Sequence, residues 1–527
     1  MAFGVRKLSK ACPKVRGACD RRVGRALQRP RVLGWAAAVL LAAPGPVCAS
    51  PLFELIGAGF GEGGWNGRAT SPSAASSYFN PALLPQADQG LELGWLVLND
   101  SISIALDGRS PDADIGLGNV NTLRDRYPVP TVWLEEGCVA GGERLCLTDI
   151  PATPRQSRGS SGNTRLYQAV GFVNHILEGR WSLGVYAALP IGSLLQAHSF
   201  FSDEREQYFT NSLHAELYSD RLTPMSLAFG TGVRATDWLS LGLSVTLNLL
   251  NGARASTYVG DSAFLDETLL LSTEVDASIG VAPHFSVLLE PLERLSASLV
   301  VHTPQKFEIT ADSGTFLANG NSQRAKRTNV HSWLPWTIAA GLAFQLYREG
   351  AHTISVAGTG MFRRWSSYLN RQGERPLSGY EWADTFAGVV GARYGYAEQW
   401  SAFLDFAYEP TPVPLQTGRT NYVDNDRFGT SAGVSYTWPL DDSGVRLRLG
   451  AQAQFHFLRA RHQGKLDPRA TPTRPSLVVD EWPDGAEDFN GDRIPEAQGL
   501  NTNNPGWPGF ESSGAIRAAM LTAGLLY

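Results

Sequence analysis

An acidic stretch near the end of the chain has oxygen-bearing residues at the spacing of a calcium-binding loop. Asp488, Asn490, Asp492 and Glu496 occupy positions 1, 3, 5 and 9 of such a loop. Two positions depart from the pattern, because Arg493 stands where the sharp turn needs glycine and Gly499 stands where a bidentate glutamate belongs. The stretch is either a structural calcium site or a plain acidic turn, and we expect no other cofactor.

No catalytic motif accompanies this stretch. The nine histidines do not form the H-E-x-x-H pattern of a zinc hydrolase. Gly59 to Gly64 match the G-x-G-x-x-G pattern of a dinucleotide-binding turn, but they lack the strand and helix that this turn requires. We interpret these glycines as a flexible segment and predict that the protein is not an enzyme.

The first 49 residues contain the parts of a secretion signal in the required order. Ten basic residues and one acidic residue lie within residues 1–31, an apolar run follows from Val32 to Ala43, and a small-residue cleavage site ends at Ala49. The apolar run is too short to span a bilayer, which needs about 20 residues. A lipoprotein would need a small residue before Cys48, where Val47 stands. We predict that residues 1–49 are a cleaved signal peptide.

Loss of this signal changes the charge and the cysteine content. The mature 478 residues keep 35 of the 45 basic residues and 49 of the 50 acidic ones, which gives a net charge of −14. This charge argues against a nucleic-acid partner. Of the five cysteines only Cys138 and Cys146 remain, and an oxidising compartment favours a disulfide between them over two free thiols.

Period-two alternation runs through the mature chain. Within residues 445–457 the odd positions are apolar and the even positions are polar or glycine, and residues 225–234 and 274–281 repeat the pattern. A strand places the two sets on opposite faces. Apolar residues outside and polar residues inside are typical of a transmembrane β-barrel.

The alternation predicts an all-β fold, a 14-stranded antiparallel transmembrane barrel over residues 90–527. Fourteen is an even number, as single-chain bacterial barrels require. The predicted strands are 90–106, 163–177, 181–190, 222–235, 238–250, 268–289, 294–312, 333–348, 351–367, 382–397, 400–410, 428–439, 444–462 and 513–527.

The links between these strands alternate between short turns and long polar loops. The long ones are residues 107–162, 191–221, 251–267, 313–332, 411–427 and 464–512. Short periplasmic turns and long external loops are the pattern of bacterial outer-membrane proteins, which cross the membrane many times. The last strand ends on aromatic Tyr527, which suits recognition by the barrel-assembly machinery.

Residues 50–89 precede the first strand and show no alternation. They contain glycines at 57, 59, 61, 63 and 64, then Ala74, Ala75, Phe79, Asn80, Pro81 and Ala82. Together with the strand and loop pattern, this segment resembles the FadL/TodX family of outer-membrane transporters of long-chain fatty acids and hydrocarbons. The resemblance implies that residues 50–89 form a hatch in the barrel. It also implies capture of hydrophobic substrates outside, gating at Phe79 to Ala82, and release sideways into the membrane.

A second correspondence lies at the outer end of the predicted third strand. Pro190 and Gly192 look like the family's Pro-x-Gly at this place. Proline cannot donate to a ladder and glycine marks bends, so we expect this strand to leave its neighbour early. Either an inward kink opens a window in the wall, as in the family, or the strand simply ends in a loop.

Two groups of residues are candidates for substrate contact. Loop 191–221 carries apolar residues that either form a capture groove or pack the loop against the barrel rim, among them Phe200, Phe201, Tyr208 and Phe209. The alternation points Arg446 and Arg448 inward, and Arg234 is a further candidate. These arginines either hold a substrate carboxylate or pair with lumen carboxylates such as Glu274, Asp276 or Asp405.

The sequence therefore predicts a passive outer-membrane transporter for hydrophobic molecules, foremost long-chain fatty acids. The alternative is a plain porin or structural barrel whose N-terminal segment is a static plug. We expect a monomer whose partners are the substrate, outer-membrane lipid and the barrel-assembly machinery.

Overall fold

The structure is a computed structural model. It describes residues 50–60, 63–70, 72–107, 139–140, 143–144, 158–177, 179–191, 213–215, 217–250, 253–259, 269–276, 278–317, 322–370, 373–376, 381–414, 422–440, 444–464 and 509–527. All of these residues belong to one unit, Pro46–Tyr527. The predicted signal peptide lies outside the described residues.

Fourteen antiparallel strands close into a barrel, as the alternation predicted. In chain order they are β1 (Gly90–Leu106), β2 (Arg158–Ile176), β3 (Trp181–Ile191), β4 (Met225–Thr236), β5 (Leu239–Leu250), β6 (Ser278–Leu292), β7 (Leu295–His302), β8 (Thr337–Glu349), β9 (His352–Arg363), β10 (Thr385–Tyr396), β11 (Trp400–Glu409), β12 (Arg427–Pro439), β13 (Arg446–Gly464) and β14 (Gly509–Leu526). Each strand pairs with its neighbours along the chain. The barrel closes because β1 pairs with both β2 and β14.

The two faces of each strand differ in the way that a membrane barrel requires. On β1, Leu91, Trp95 and Val97 are exposed on the outer face, whereas Leu96 and Asp100 are buried inside. On β13, Phe455 and Phe457 lie outside, and Gln454 and His456 are buried. The outer face therefore presents apolar side chains to its surroundings and the inner face carries the polar ones.

None of the helices among the described residues is long and apolar enough to cross a membrane.

The barrel has two different ends. At the short-turn end, few residues join β2 to β3, β4 to β5, β6 to β7, β8 to β9, β10 to β11 and β12 to β13. Gly90 and Leu526 also pair at this end. The opposite, long-loop end carries the long connections between strands. The N-terminal segment therefore enters the first strand from the short-turn end.

Two predicted strands were wrong, because each combines parts of two elements. Residues 268–289 contain a separate strand before β6, and residues 294–312 contain one after β7. These extra strands belong to a four-stranded sheet, in the order Ser322–Leu334, Gln305–Leu317, Leu269–Val275 and Ala253–Val259. Period-two alternation continues into any half-buried strand, so the sequence pattern did not mark where the wall ends.

This sheet corrects the expected position of two carboxylates. Glu274 lies in Leu269–Val275, and Asp276 follows it and forms an ion pair with Lys326 at 3.7 Å. Glu274 belongs to the sheet beyond the long-loop end and Asp276 lies directly after its strand, so neither lines the lumen. Asp405, in contrast, lies on the inner face of β11 and is fully buried.

The N-terminal segment, residues 50–89, folds into short helices inside the barrel. They are α1 (Pro51–Ile56), α2 (Gly67–Thr70), α3 (Ser76–Phe79) and a 3-10 helix, Pro81–Gln86. Ser50 caps α1, since its hydroxyl accepts the Phe53 N–H at 3.2 Å. Phe60 faces Gly94 of β1 and Gly171 of β2, Trp65 faces Gly429 of β12, and the Ala82 N–H donates to Ser286 of β6 at 2.8 Å. Because these strands lie around the barrel, the segment between them occupies its interior.

Candidate functional site

One buried carboxylate joins the N-terminal segment to the barrel wall. Glu54 in α1 accepts hydrogen bonds from Arg68 at 2.8 Å, Tyr78 at 2.9 Å and Arg363 at 3.2 Å. Burial by itself would raise the pKa of the Glu54 carboxyl, but Arg68, Arg363 and His302 outweigh it and hold this pKa well below its usual range. Glu54 is therefore ionised and connects α1, α2 and α3 to β9.

The charged network continues across the wall. Arg363 donates to Glu409 of β11 at 2.5 Å, and Arg427 of β12 contacts the other carboxylate oxygen of Glu409. Two carboxylates thus share three guanidinium groups, those of Arg68, Arg363 and Arg427. Removing one member of such a buried set leaves its partner uncompensated, at a typical cost of about 3–5 kcal/mol.

A cavity of about 40 Å³ lies against this network on the side of the long loops. Its apolar lining includes Leu55, Leu217 and Trp365, and its charged lining includes Arg363 and Arg427. This combination fits a molecule with an apolar body and an anionic end. The cavity has room for only a few water-sized groups, so a larger ligand requires the segment to move.

Aromatic side chains form a cluster beside this cavity. The cluster contains Val330, Trp333, Trp365, Tyr368, Trp382, Val413 and Tyr422. Tyr368 and Trp382 stack with their ring centroids 3.7 Å apart. Leu217 packs against both this cluster and the apolar core around the N-terminal segment. A continuous apolar layer therefore leads from the loops to the cavity.

The second half of the N-terminal segment rests on glycines of the barrel wall. Gly184 pairs with Gly230, and Gly232 pairs with Gly242, across strands β3, β4 and β5. A methyl group at Gly230 would lie 2.7 Å from the Cα atom of Ser77, and one at Gly242 would collide with the backbone of residues 81 and 82. Any side chain on these glycines would displace the segment, so the wall is shaped to admit its backbone.

The predicted gating residues lie in this tightly packed region. Asn80 donates to the Arg68 carbonyl at 3.0 Å, and the Arg68 guanidinium lies 4.9 Å from the centroid of the Phe79 ring. Pro81 and Ala82 lie on Gly232 and Gly242. All four predicted residues are fully buried.

A second contact fixes the loop between α1 and α2. Asp405 accepts hydrogen bonds from the backbone N–H of Asn66 at 3.1 Å and from its side-chain amide at 3.2 Å. Arg393 holds the same carboxylate through two nitrogens, at 2.6 and 3.1 Å, and Thr359 donates to the Asn66 amide oxygen at 2.9 Å. Asp405 thus pairs with Arg393, which the sequence analysis did not single out, and not with Arg446, Arg448 or Arg234.

Arg446 and Arg448 both contact Asp88, at the short-turn end. Arg446 donates to one Asp88 oxygen at 2.8 Å and Arg448 contacts the other. Arg448 also lies 3.8 Å from Glu92. Burial would raise the pKa of Asp88, but Arg448 and Arg446 lower it overall. The two arginines therefore anchor the end of the N-terminal segment. The sequence pattern did not predict this contact with Asp88. Arg234 lies at this end too and donates to the Asp237 carbonyl at 3.0 Å.

A larger chamber opens between this anchor and the Asn66 contact. Its volume is about 540 Å³, and its lining includes Ser355, Arg393, Ser401, Ser435 and Thr437. The lining is rich in hydroxyl and charged groups, in contrast to the apolar layer near the long loops.

The end of β3 has the geometry expected from Pro190. The ladder between β3 and β4 stops at the pair Ala188–Ser226, whereas the ladder between β2 and β3 continues to the pair Leu166–Ile191. The third strand thus leaves one neighbour three residues before it ends. Gly192 lies outside the described residues.

Several predicted residues fall on parts of the chain that the structure does not describe. They are the loop aromatics Phe200, Phe201, Tyr208 and Phe209, the cysteines Cys138 and Cys146, and the acidic residues Asp488, Asn490, Asp492 and Glu496. The described part contains no group of three or more His, Cys, Asp or Glu side chains that could hold a metal ion.

Sequence reasoning missed the charged network, although part of the signal was present. Glu54, Arg68, Arg363, Glu409 and Arg427 come from distant stretches of chain. Each of the three strand residues sits at an end of its strand, where the alternation is weakest. Charged residues at inward positions of predicted strands were the available signal, and only the closed barrel brings them together.

One serine-containing sequence pattern can be interpreted from its position in the barrel. Contrary to the expectation that no catalytic motif occurs, residues 429–433 match G-x-S-x-G, the pattern of a serine nucleophile on a strand-to-helix turn. Here all five residues lie within β12, and Ser431 is fully buried on its inner face. The pattern therefore lacks the exposed turn that serine catalysis needs.

Comparison with known proteins shows what the fold resembles. No protein-family model matches the chain. Over 76 residues it is 30% identical to the long-chain fatty acid transport proteins of Salmonella typhi and Escherichia coli (strain K12), a stretch covering 14% of this chain and 18% and 17% of theirs. The match thus spans less than a fifth of the length of these relatives.

A solved structure extends the likeness to nearly the whole chain. The crystal structure of a Pseudomonas aeruginosa FadL homologue aligns with a TM-score of 0.51 at 14% identity, covering 92% of this chain and 98% of that one. At this identity the likeness shows the fold. The predicted 14-stranded barrel and its resemblance to FadL-type barrels are confirmed.

Proposed function

We propose that this protein is an outer-membrane channel through which hydrophobic molecules enter by passive diffusion, with residues 50–89 as its hatch. The observation that best supports this function is the way in which the lumen of the barrel is closed. A segment bound by hydrogen bonds and ion pairs fills it, and an amphipathic cavity lies at the face of that segment toward the long loops. The long-loop end is then extracellular and the short-turn end periplasmic.

Long-chain fatty acids are the substrates whose chemistry best suits this cavity and the apolar layer beside it, once the segment has moved to make room. The apolar layer suits an acyl chain, because each buried CH₂ contributes about 0.8 kcal/mol. Arg427 and Arg363 lie at the end of the layer, where a carboxylate can replace Glu409 as their partner. The guanidinium groups exchange one charge-assisted hydrogen bond for another, and burial of the acyl chain must offset the cost, typically about 3–5 kcal/mol, of leaving Glu409 without them.

Release follows sideways near the end of β3. There the ladder to β4 has already ended while β3 is still held by β2, so the wall has fewer hydrogen bonds to break. The apolar outer face continues directly into the hydrocarbon of the membrane. A hydrophobic molecule therefore avoids passage through water on this route.

Uptake of labelled oleate and labelled hexadecane by cells with and without the protein tests this function. We expect both to enter faster with the protein. Arg427→Gln should lower the ratio of oleate to hexadecane uptake about tenfold, since a hydrogen bond to a charged group is lost. Arg459→Gln is the matched control, because Arg459 is largely exposed and lies 3.9 Å from Asp426. Equal uptake with and without the protein would refute the proposal.

A further inference from the structure

Three cavities follow one wall of the barrel, from the long-loop end to the short-turn end. Their volumes are about 40, 20 and 540 Å³. The first two share the charged residues Glu54, Arg363, Glu409 and Arg427 in their linings, so they lie on two sides of one network. The third is the chamber between the Asn66 contact and the short-turn end.

The strand positions show how little separates the second cavity from the third. On β9, the second cavity is lined by Met361 and the chamber by Ser355. Two inward positions lie between them, Ala357 and Thr359, and both contact Asn66, at 3.5 and 2.9 Å. The second cavity and the chamber are therefore separated by a single layer, which spans these two positions of β9. The loop of residues 63–66 forms this layer.

Asp405 holds this layer in place from the wall. It accepts both Asn66 hydrogen bonds and is itself held by Arg393, whose guanidinium also donates to the Gly63 carbonyl at 3.4 Å. Gly391 makes room for the carboxylate, since a methyl group there would collide with Asp405. Loss of the Asn66 side-chain contacts to Asp405, Ala357 and Thr359 would loosen the loop without altering the wall.

The chemistry of this wall suits water and not hydrocarbon. Between this layer and the short-turn end, the chamber is lined by hydroxyl groups and by the charged groups of Arg393, Arg448 and Glu398. An acyl chain would strip water from these groups, which is costly when nothing replaces their hydrogen bonds. Ions and small sugars keep their hydration or exchange it for these polar groups.

We propose that the barrel contains a second, hydrophilic route along β9–β13, closed by residues 63–66 and opened when Asn66 leaves Asp405. Its substrates are small ions and uncharged sugars. It goes beyond the uptake of hydrophobic molecules, which needs no continuous water-filled path.

Currents through single proteins in a planar bilayer in KCl test this route. We expect low conductance from the unaltered protein and an increase of about tenfold or more in open time for Asn66→Ala, which loses its side-chain hydrogen bond to the charged Asp405 and keeps the one from its backbone N–H. Asp405→Asn, which keeps the side-chain shape, should act in the same direction. Heat-modifiable migration in gels verifies that each barrel is folded. Liposome swelling in arabinose should follow the currents.

Ser286→Ala is the matched control. It removes one hydrogen bond to the N-terminal segment, at Ala82, but on the opposite wall. We expect it to leave the current unchanged. If both Asn66→Ala and Asp405→Asn behave as the unaltered protein, or if Ser286→Ala opens the barrel equally, the proposed route is wrong.

Cysteine labelling locates the barrier independently. In a background with Cys138→Ser and Cys146→Ser, Ser355→Cys places a thiol in the chamber and Ala387→Cys places one in the second cavity. A charged thiol reagent added at the short-turn end should label the Ser355 variant in every case. It should label the Ala387 variant only together with Asn66→Ala, and equal labelling without that change would contradict the assigned barrier.

Discussion

The two parts of the N-terminal segment are held to the barrel by different forces. The first part, residues 50–60 and 63–70, is fixed by Glu54 and Asn66, which reach charged groups of β9–β12. The second part, residues 72–89, lies directly on the glycines of β3–β5. The first part, whose Phe60 and Trp65 also pack on wall glycines, is therefore fixed in addition by buried charged contacts, whereas the second relies mainly on the fit of two surfaces.

This difference determines which part can move. Ion pairs and hydrogen bonds can be exchanged one by one with water or with a ligand of the same charge. A close-packed surface has no such intermediate partner, because separating it loses all contacts together. Movement is therefore expected first in the first part, and gating at Phe79, Asn80, Pro81 and Ala82 stays a prediction.

The largest effect should come from removing the shared carboxylate. Glu54→Ala leaves Arg68 and Arg363 without that partner inside the barrel, at a cost of about 3–5 kcal/mol. Hydrogen exchange of the first part should accelerate by roughly two to three orders of magnitude, while the second part keeps its protection. If both parts exchange faster to the same extent, the segment behaves as a single unit and the distinction fails.

A smaller effect should come from filling the glycine surface. Gly242→Val places side-chain atoms against residues 81 and 82, and such overpacking costs about 1–3 kcal/mol. Exchange should accelerate in the second part and remain slow around Glu54. Gly360→Val is the control, because a Cβ atom added there meets no other atom within 4 Å. Similar exchange in the two variants would show that the glycines carry no packing role.

Lowering the pH should distinguish the contribution of Glu54 to stability from that of Asp424, a buried carboxylate at the long-loop end. The pKa of Glu54 is held below its ordinary 4.5, so its contribution is complete above about pH 4.5 and is lost only at lower pH. Burial raises the pKa of Asp424 from 3.8 to about 6, so its protonated form is favoured in the folded state and local stability increases as pH falls from 7 to 5.

The expected gain around Asp424 between these pH values is about 1 kcal/mol. Hydrogen exchange, corrected for the intrinsic effect of pH, should become slower near residues 411–414 and 422–427. The first part of the N-terminal segment should not change. Release of that part at pH 5 would show that its charged network is weaker than the geometry indicates.

The smallest effect is expected at the short-turn end. Arg446 and Asp88 are both partly exposed, with 41% and 30% of their side-chain surfaces accessible, and such pairs contribute about 0–1 kcal/mol. Arg448 still holds Asp88 in an Arg446→Gln variant, so oleate uptake and exchange should both stay close to those of the unaltered protein. A strong loss of oleate uptake alone would restore the interpretation that Arg446 holds the substrate carboxylate.

The sequence predicted the wall well and the interior poorly. The wall was predictable because outward positions such as Trp95 and Phe457 repeat every second residue, and period two is a local signal. Glu54, Arg363 and Glu409 meet only after the barrel closes, so no local pattern connects them. Leu269–Val275 was predicted to lie in the wall because its period-two alternation is the same as that of the wall strands. The sequence of a single strand does not indicate which sheet the strand joins.

The packing of Phe60 has a consequence for the order of assembly. Phe60 lies against Gly94 of β1 and Gly171 of β2, and its neighbour Gly59 lies against Met520 of β14. The first and last strands of the chain thus share one docking surface, which is complete only when the ends of the barrel join. Contacts so far apart in sequence form slowly. Docking of Gly59 and Phe60 is therefore expected to be among the final steps of folding, together with closure of the seam.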